Sequence, residues 1–219
     1  MIVFIPIKEK SQRVRNKNFR NFNNKPLWKH SIEKLKDFNV FIDTDSELII
    51  NECSDYNFVT PFKREESLLG HDISVVDLIK SFVKRFSFND QVICQTHVTS
   101  PFLNIEHINF ANKILCSNKY DSILTVNKFQ NRFWSLKNEI LSPLNHNPSL
   151  LQQTQDLTPI YEENSYFYMF FASVLENDNR IGHNPFIYEI DFPFNIDIDN
   201  EKDFEIAELI LKTQLNENY

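Results

Sequence analysis

Six lysine and arginine residues lie between positions 8 and 20, directly after the short apolar run of residues 2–7. The whole chain carries a formal net charge of −7, so this segment is a local region of positive charge in an acidic protein. Ser11 and backbone N–H groups could add hydrogen bonds to an anion. The segment predicts a site for a polyanion such as a triphosphate, and the alternative is a solvated basic loop. The cations that could neutralise a triphosphate are Lys8, Arg13, Arg15 and Lys17.

Two aspartates near the end of the sequence, Asp197 and Asp199, are the second candidate for chemistry. If residues 194–198 form a strand, alternation places both carboxylates on the same face. Paired carboxylates at the carboxyl end of a strand can hold Mg²⁺, which prefers oxygen ligands and accompanies phosphates. The alternative is a strand end at which Asp199 caps the final helix. A second Asp-x-Asp pattern occurs at Asp43 and Asp45, where the following Ser46 and a predicted helix favour capping and turn chemistry.

Residues 95–101, at the end of a predicted strand, offer several small hydrogen-bonding side chains and one imidazole, that of His97. His97 could orient or deprotonate a hydroxyl, because an unperturbed histidine pKa of ~6.5 lies near working pH. A plain loop histidine is the alternative. No arrangement of Ser, His and Asp or of Cys and His indicates covalent catalysis. The cysteines at positions 53, 94 and 116 lack metal-ligand spacing, so we expect buried free thiols in a reducing compartment.

Continuously apolar segments, which are typical of buried strands, alternate with segments of helical periodicity along most of the chain. This alternation predicts an α/β fold, a three-layer α/β/α sandwich with a mostly parallel sheet, in one domain of residues 1–219. Residues 127–163 are polar and weakly periodic, which indicates an excursion or arm within that domain. The predicted strands are 2–7, 39–42, 59–62, 91–96, 122–126, 166–171, 186–190 and 194–198, and the predicted helices begin at Pro26 and after Ser46, Ser74, Asn104 and Asp199.

The composition argues against several classes of function. The acidic balance disfavours broad binding to nucleic acid or membrane surfaces, and no apolar run approaches the ~18 residues of a membrane span. The apolar opening is too short for a signal sequence, so we expect a cytoplasmic protein. Only 2 glycines occur in 219 residues. The glycine fingerprints of dinucleotide and P-loop sites are therefore missing, and Asn or Asp must supply loop positions with positive φ.

Five segments, in the same order along the chain, resemble the acylneuraminate cytidylyltransferases, also called CMP-sialic acid synthetases. They are the opening from Ile5 to Leu27 with Ser11 and Asn16-Lys17-Asn18, the Asp-Thr-Asp-Ser-Glu of residues 43–47, the Thr-Ser-Pro-Phe of residues 99–102, the segment from Gln155 through Asn164 to Tyr168, and Ile196-Asp197-Ile198-Asp199 with the helix that follows. The resemblance implies a fold like that of nucleotide-diphospho-sugar transferases, CTP as the donor, Mg²⁺, and a homodimer formed partly by the arm of residues 127–163.

The same resemblance implies roles for individual residues. Lys8, Arg13 and Lys17 would bind the departing phosphates, and Lys8 stands where the family has a phosphate-binding Arg. Asp197 and Asp199 match the metal-binding pair of the family. The positions implied to contact the nucleotide, the acceptor or the phosphates are Ile5, Ser11, Asn18, Lys25, Ser74, His97, Thr99, Gln155 and Asn164.

The chain departs from the family pattern at three places. Glu9-Lys10 replaces a Gly-Gly pair in the phosphate loop, His97-Val98 replaces Gln-Pro before Thr-Ser-Pro, and Thr154 stands where the family tends to have Arg. These changes lie mainly on the acceptor side, so the identity of the sugar stays open.

Four functions are compatible with this sequence. The main hypothesis is a cytidylyltransferase that forms a CMP-activated nonulosonic sugar and pyrophosphate from CTP and a 2-keto sugar acid. A second keeps cytidylyl transfer but takes 3-deoxy-octulosonate or another small acid. A third is a nucleotide-sugar-dependent glycosyltransferase with Asp43 and Asp45 as its metal pair. The fourth is an inactive nucleotide-binding homologue.

Overall fold

The computed structural model describes residues 1–9, 14, 16–70 and 72–216. Strands and helices alternate between residues 27 and 129 as the sequence predicts, whereas the strands between residues 122 and 189 follow one another without an α-helix between them. The strands are β1 (Ile2–Ile7), β2 (Asn21–Phe22), β3 (Lys25–Pro26), β4 (Asn39–Thr44), β5 (Val59–Lys63), β6 (Val92–Thr96), β7 (Ser122–Phe129), β8 (Trp134–Lys137), β9 (Ile140–Pro143), β10 (Ile160–Phe171) and β11 (Pro185–Glu189). The helices are α1 (Leu27–Ile32), α2 (Glu47–Glu52), α3 (Val75–Phe86), α4 (Ile105–Leu115) and α5 (Glu201–Asn216).

Seven of the described strands form one sheet in the order β11-β7-β10-β6-β1-β4-β5. Strand β1 pairs in parallel with β4 and β6, β4 with β5, and β7 with β11. The long strand β10 runs antiparallel between β6 and β7. The predicted mostly parallel sheet is therefore confirmed, with β10 as its antiparallel member.

Both faces of the sheet are covered, and β1 shows why its sequence is apolar throughout. Val3 and Ile5 pack into a core cluster with Trp28 of α1 and Ile108 of α4. The intervening residue Phe4 faces the opposite cluster, which contains several apolar side chains of α3. Successive residues of a strand point to opposite faces, so a strand buried on both sides needs an apolar residue at every position. The three-layer arrangement follows from this burial.

Helix caps occur where the sequence places short polar residues. Ser74 Oγ accepts a hydrogen bond from Asp77 N at 3.1 Å, and Asp77 Oδ2 accepts one from Ser74 N at 3.0 Å. This reciprocal capping box fixes the start of α3. Asn104 Oδ1 accepts from Glu106 N at 2.9 Å and begins α4 in the predicted place. Both contacts satisfy backbone donors that a helix leaves unpaired at its first turn.

Backbone positions with positive φ are filled largely by asparagine, as the scarcity of glycine predicts. Among the described residues no glycine has a positive φ. Asparagine tolerates the left-handed region better than most residues because its short side chain can hydrogen-bond locally. The asparagines in this region are Asn16, Asn23, Asn24, Asn118 and Asn138.

Three features differ from the sequence prediction. Residues 194–198 form a turn followed by an irregular segment and not a strand. Strand β10 begins at Ile160, six residues before the predicted start at residue 166, so it extends into the predicted arm. All three cysteines are free, as expected, but Cys116 is exposed whereas Cys53 and Cys94 are buried. No helix in the described ranges is both long and apolar enough to span a membrane.

Within residues 127–163, strands β8 and β9 pair with each other as a separate two-stranded sheet. Large apolar side chains are exposed on and beside this hairpin, which is unusual for a segment of polar composition. These exposed residues are Trp134, Leu136, Ile140, Leu141, Leu144, Leu150 and Leu151. We call this set the apolar arm surface.

A buried histidine in α1 makes the stability of the fold sensitive to pH. Both ring nitrogens of His30 are buried and have no hydrogen-bonding partner among the residues that the structure describes. Burial, with smaller effects from Lys34 and Lys25, lowers the pKa of His30 from 6.5 to about 4. Between these two values the unfolded chain binds a proton that the folded protein does not. The free energy of unfolding therefore falls as pH falls from about 6.5 to about 4.

We expect His30→Leu to reduce this loss of stability on acidification, because the substitution removes the titrating group. Between pH 7 and pH 5 the free energy of unfolding of the variant should fall by about 1–2 kcal/mol less than that of the wild type. Urea unfolding at the two pH values measures the difference. The matched control is His183→Leu, at an exposed position. If the free energy of unfolding had the same pH dependence in His30→Leu and in the wild type, His30 would not be the group that causes the loss of stability.

Candidate active site

A cleft of 420 Å³ opens where several parallel strands end. Lys8 follows β1, Arg64 follows β5, and His97 follows β6. Carboxyl ends of parallel strands are the usual place for ligands in open α/β sheets. The residues that line the cleft are Pro6, Lys8, Lys17, Asn18, Arg64, Ile73, Val75, Leu78, His97, Val98, Thr99, Ser165, Asp197 and Asp199.

The cleft brings together seven of the residues that the sequence singles out. They come from the loop after β1, the end of β6 and the segment before α5, which are separated by up to 191 positions in the sequence (199 minus 8). Cations and carboxylates thus lie on the same cleft, as a site for a metal-bound polyanion requires. The seven residues are Lys8, Lys17, Asn18, His97, Thr99, Asp197 and Asp199.

The segment with the two aspartates is held in the cleft by its backbone. Ile198 N donates to Thr99 O at 2.9 Å, and Lys17 Nζ donates to Ile198 O. Lys17 Nζ also lies 3.6 Å from Asp199 Oδ1. The predicted strand was wrong for this segment, yet Asp197 and Asp199 line the same cleft. Ile198 between them is buried, and its backbone is bonded to Thr99 and Lys17, which both line the cleft.

Helix α5 is capped by a different residue from the one considered in the sequence. Asn200 Oδ1 accepts from Asp203 N at 3.1 Å, and Asp203 Oδ2 accepts from Asn200 N at 2.9 Å. This reciprocal pair is a capping box with Asn200 at the N-cap. The alternative role of Asp199 as the helix cap is therefore wrong, and its carboxylate lines the cleft instead.

Two hydrogen bonds shape the backbone after β1. Asn18 Nδ2 donates to Lys8 O at 2.9 Å, and Glu9 N donates to Asp45 Oδ1 at 2.7 Å. Glu9 is one of the residues that replace the glycine pair of the resembled family, and the side chain of Asp45, directly after β4, fixes its backbone. The remaining candidates in this loop, Ser11 and Arg13, lie outside the described residues, as does Arg15.

The second Asp-x-Asp pattern has structural roles. Asp43 is buried against Arg64, with Arg64 Nε donating to Asp43 Oδ2 at 3.0 Å. Asp45 accepts the Glu9 backbone hydrogen bond. Ser46 precedes α2 but makes no side-chain capping bond. Because neither Asp43 nor Asp45 lines the cleft, the geometry does not support a glycosyltransferase metal pair at these positions.

Arg64 is a cleft residue that the sequence reasoning missed. Its side chain is buried, and its Nη2 donates to the backbone oxygen of Asp43 at 3.2 Å. Its remaining nitrogen, Nη1, is buried without a hydrogen-bonding partner among the described residues. A buried donor without a partner is costly in free energy, and a bound anion is one way to satisfy it. The sequence could have indicated Arg64 as a site residue, because this cation directly follows a strand as Lys8 does.

His97 is neutral at physiological pH, contrary to the expectation of a pKa near 6.5. Burial, followed by the nearby charges of Arg180 and Lys17, lowers the pKa of His97 to about 4. The imidazole is therefore uncharged, with one nitrogen that donates and one that accepts.

Five of the implied substrate contacts do not line the cleft. Ile5 is in the core, with 1% of its surface exposed, and Lys25 forms an ion pair with Glu33. Ser74 caps α3, although its neighbours Ile73 and Val75 line the cleft. The last two lie nearer the arm. Gln155 is exposed in a short 3₁₀ turn, and the amide of Asn164 donates to Asn127 Oδ1 at 3.0 Å.

The carboxylates of the cleft suit Mg²⁺ that is held jointly with substrate phosphates better than a metal ion that is held by protein ligands alone. The described residues contain no group of three or more His, Cys, Asp or Glu side chains arranged to hold a metal ion. Mg²⁺ is commonly bound by one or two carboxylates, with substrate phosphates and water completing the octahedron. Asp197 and Asp199 supply such a pair next to two lysines.

Comparison with known proteins identifies the family. Residues 2–217 match the family model of the cytidylyltransferases. The chain therefore belongs to the cytidylyltransferase family and is a nucleotidyltransferase.

Three relatives illustrate the similarity in sequence. The chain is 24% identical over 223 residues to a pseudaminic acid cytidylyltransferase of Campylobacter jejuni, covering 96% of each chain. It is 25% identical to a CMP-N,N'-diacetyllegionaminic acid synthase of the same species, covering 92% of this chain and 90% of the other. It is 28% identical to N-acylneuraminate cytidylyltransferase A of Danio rerio, covering 88% of this chain and 46% of that longer protein.

Solved structures agree on the fold. A CMP:2-keto-3-deoxy-manno-octonic acid synthetase complexed with CTP superimposes with a TM-score of 0.69 at 11% identity, over 97% of this chain and 98% of the other. A 4-diphosphocytidyl-2C-methyl-D-erythritol synthase from Anaerococcus prevotii gives a TM-score of 0.68 at 10% identity, over 96% and 98%. The predicted nucleotide-diphospho-sugar transferase-like fold is confirmed.

Proposed function

We propose that the protein transfers a cytidylyl group from CTP to a nonulosonic, sialic-acid-like 2-keto sugar acid, forming a CMP-sugar and pyrophosphate. The observation that carries the proposal is the convergence of Lys8 and Lys17 with Asp197 and Asp199 on a single cleft. Membership of the cytidylyltransferase family supports CTP as donor. Relatives named for N-acylneuraminate, pseudaminic acid and N,N'-diacetyllegionaminic acid support the class of acceptor.

In this reaction the anomeric hydroxyl of the sugar attacks the α-phosphorus of CTP in line. A new P–O bond forms, the bond between the α-phosphorus and the oxygen that bridges to the β-phosphate breaks, pyrophosphate leaves, and the hydroxyl proton passes to solvent. Lys8 and Lys17 bind the phosphates and neutralise the charge that develops on the leaving group. Transfer of this kind depends mainly on alignment and electrostatic stabilisation, which fixed cations in a cleft provide.

Asp197 and Asp199 would hold the magnesium ion, with no ligand needed from elsewhere in the described protein. When bound, Mg²⁺ neutralises phosphate charge and orients the phosphate oxygens. Arg64 Nη1 is a further donor for the nucleotide, because it is buried on a residue of the cleft and has no partner in the described part of the chain. CTP is an intracellular metabolite, so this activity also supports a cytoplasmic location.

The experiment that tests the proposal is pyrophosphate release from CTP and Mg²⁺ with a panel of acids, followed by mass analysis of the products. The panel contains N-acetylneuraminic, pseudaminic, legionaminic and 3-deoxy-octulosonic acids. We expect a CMP-sugar with at least one nine-carbon acid, at a kcat/KM well above that for 3-deoxy-octulosonate. A clear preference for 3-deoxy-octulosonate would assign the second hypothesis, and no product with any acid would support an inactive homologue.

We also propose that the working enzyme is a homodimer whose contact includes the apolar arm surface. Leu136 and Leu141 face each other across the β8–β9 hairpin and are 71% and 59% exposed. Apolar residues exposed together on a soluble enzyme usually mark an interface. A second copy of the chain is the occupant that the family resemblance implies.

Replacing this leucine pair with Leu136→Lys and Leu141→Glu should weaken the dimer by about thirtyfold or more, because two apolar side chains that the proposed contact would bury become charged. The opposite charges keep a favourable cross-strand pair, so the hairpin itself is preserved. Light scattering after size-exclusion chromatography, over a range of concentrations, measures the change. Leu209→Glu, at an exposed position of α5, is the control and should stay dimeric. A monomeric wild type, or a double variant as dimeric as the wild type, would contradict the proposal.

A further inference from the structure

A chain of polar side chains runs from the loop before β11 to the cleft behind His97. Arg180 Nη1 donates to Gln95 Oε1, and Gln95 Nε2 lies 2.7 Å from His97 Nε2. Gln95 is fully buried. The guanidinium carbon of Arg180 lies 3.5 Å from the ring centroid of Tyr168, whose hydroxyl donates to Glu163 Oε2 at 2.7 Å. Arg180 is therefore fixed by stacking as well as by hydrogen bonding.

This chain determines which nitrogen of His97 carries the proton. A guanidinium only donates hydrogen bonds, so it holds the carbonyl oxygen of the Gln95 amide. The amide NH₂ must then face His97, and this group also only donates. His97 Nε2 is consequently the acceptor. A neutral imidazole has a single N–H, which therefore lies on Nδ1.

The fixed tautomer limits what His97 can do in the cleft that it lines. Its accepting nitrogen is occupied by Gln95, and its other nitrogen already carries a proton. Neither nitrogen can remove the proton of the attacking hydroxyl. Within the described residues Nδ1 has no hydrogen-bonding partner, so its N–H is available to a bound ligand. The charged groups that act on His97 are Arg180, Lys17 and Asp199.

We propose that Arg180, acting through Gln95, is a positioning residue that fixes His97 as an Nδ1–H donor to an oxygen of the acceptor sugar acid. This inference rests on the proposed function and names one donor of the acceptor site. It also replaces the sequence-based hypothesis that His97 deprotonates the hydroxyl. The low pKa caused by burial and by the two cations keeps the ring neutral and so preserves this arrangement.

The first test measures the tautomer directly in the free enzyme. Nitrogen-15 NMR of histidine-labelled protein, with the His97 signals assigned by their loss in His97→Asn, should show Nδ1 protonated and Nε2 bare at neutral pH. Arg180→Met keeps an apolar stem against Tyr168 but frees the Gln95 amide to turn, so we expect a mixture of tautomers. Arg180→Lys restores a donor to Gln95 and should restore most of the wild-type signal. An unchanged tautomer in Arg180→Met would overturn the inference.

The second test compares two substitutions of His97 that leave Arg180 in place. Asn places an amide near the position of Nδ1 and can donate, whereas Asp has similar size but can only accept when ionised. We expect the KM for the acceptor to be about tenfold or more higher in His97→Asp than in His97→Asn, with little difference in the KM for CTP. A general base predicts the reverse order, in kcat, and that result would refute the donor role.

The two proposals fail in different ways. The NMR measurement needs no substrate, so it tests the Arg180–Gln95–His97 chain even if the acceptor has been misidentified. If the wild type makes no CMP-sugar from any acid in the panel, the proposed function fails and the acceptor-donor role fails with it. If the wild type is active but Arg180→Met keeps both the tautomer and the wild-type acceptor KM, only the inference about Arg180 fails.

Discussion

Asp197→Asn and Asp199→Asn should each reduce kcat by about a hundredfold to a thousandfold or more, while the fold is retained. The amide has the size of the carboxylate but lacks the negative charge that holds a hard cation against the phosphates of CTP. Losing electrostatic stabilisation of the developing charge has an effect of this order in other enzymes. Pyrophosphate release at saturating CTP, measured over a range of Mg²⁺ concentrations, gives both kcat and the apparent metal affinity.

The control for this pair is Asp191→Asn, a nearby aspartate that is exposed and does not line the cleft. It should keep wild-type turnover. The unfolding midpoints of all three variants should lie close to that of the wild type. If Asp197→Asn retains near-normal turnover at all Mg²⁺ concentrations, Asp197 is not a metal ligand and the catalytic assignment fails.

Arg64→Met should lower the free energy of unfolding by about 3–5 kcal/mol, because it leaves the carboxylate of Asp43 buried without its counter-ion. Burial raises the pKa of Asp43, and Arg64 opposes this effect. Without Arg64 the pKa should rise further. A carboxylic acid whose pKa is higher in the folded protein than in the unfolded chain loses its contribution to stability as pH rises between the two pKa values. The Arg64→Met variant should therefore be least stable at neutral and alkaline pH. Urea unfolding between pH 5 and pH 8 measures this.

The double variant with Arg64→Met and Asp43→Asn separates the charge effect from the loss of packing. The neutral amide that replaces the Asp43 carboxylate needs no counter-ion, so much of the lost stability should return and the new pH dependence should disappear. CTP affinity should be lower than that of the wild type in both the single and the double variant, because both lack the buried Nη1 donor on the cleft. Recovery of CTP binding together with stability would show that Arg64 is structural only.

The sequence predicts the layers of the fold well because each follows from a local pattern. Strand β1 is apolar at nearly every position because α1 and α4 cover one face and α3 covers the other. Ser74 and Asn104 mark helix starts because their side chains accept hydrogen bonds from the first turn. Such signals lie within a few residues of the element that they define, so they can be read without the tertiary structure.

The irregular segment of residues 194–198 shows where local patterns mislead. Phe194, Ile196 and Ile198 alternate with polar residues as in a strand. Their burial comes instead from packing beside Phe22 and Phe204 of α5. Ile196 N donates a hydrogen bond to Pro193 O, and Ile198 N donates one to Thr99 O. An alternation of apolar and polar residues over five positions does not distinguish a strand from an irregular segment that is packed against a helix.

The sequence predicts a residue of the candidate site best where a charged or polar side chain directly follows a strand, and less well elsewhere. Lys8 and His97 follow strands in the sequence, so their convergence is expected from the parallel sheet. The tautomer of His97 was not predictable, because it depends on Arg180, which is distant in sequence from Gln95 and carries no motif. Ile5 and Lys25 lie in segments that resemble the family, yet local packing and an ion pair engage them away from the cleft.

The central claim, that the basic loop after β1 and the paired aspartates hold one nucleotide with its metal, is tested most directly by diffraction. Crystals grown with CTP and Mn²⁺ in place of Mg²⁺ should show one strong anomalous peak between the carboxylates of Asp197 and Asp199 and the triphosphate, with Lys8 and Lys17 on the phosphate oxygens. A nucleotide bound elsewhere, or manganese away from both aspartates, would contradict the account.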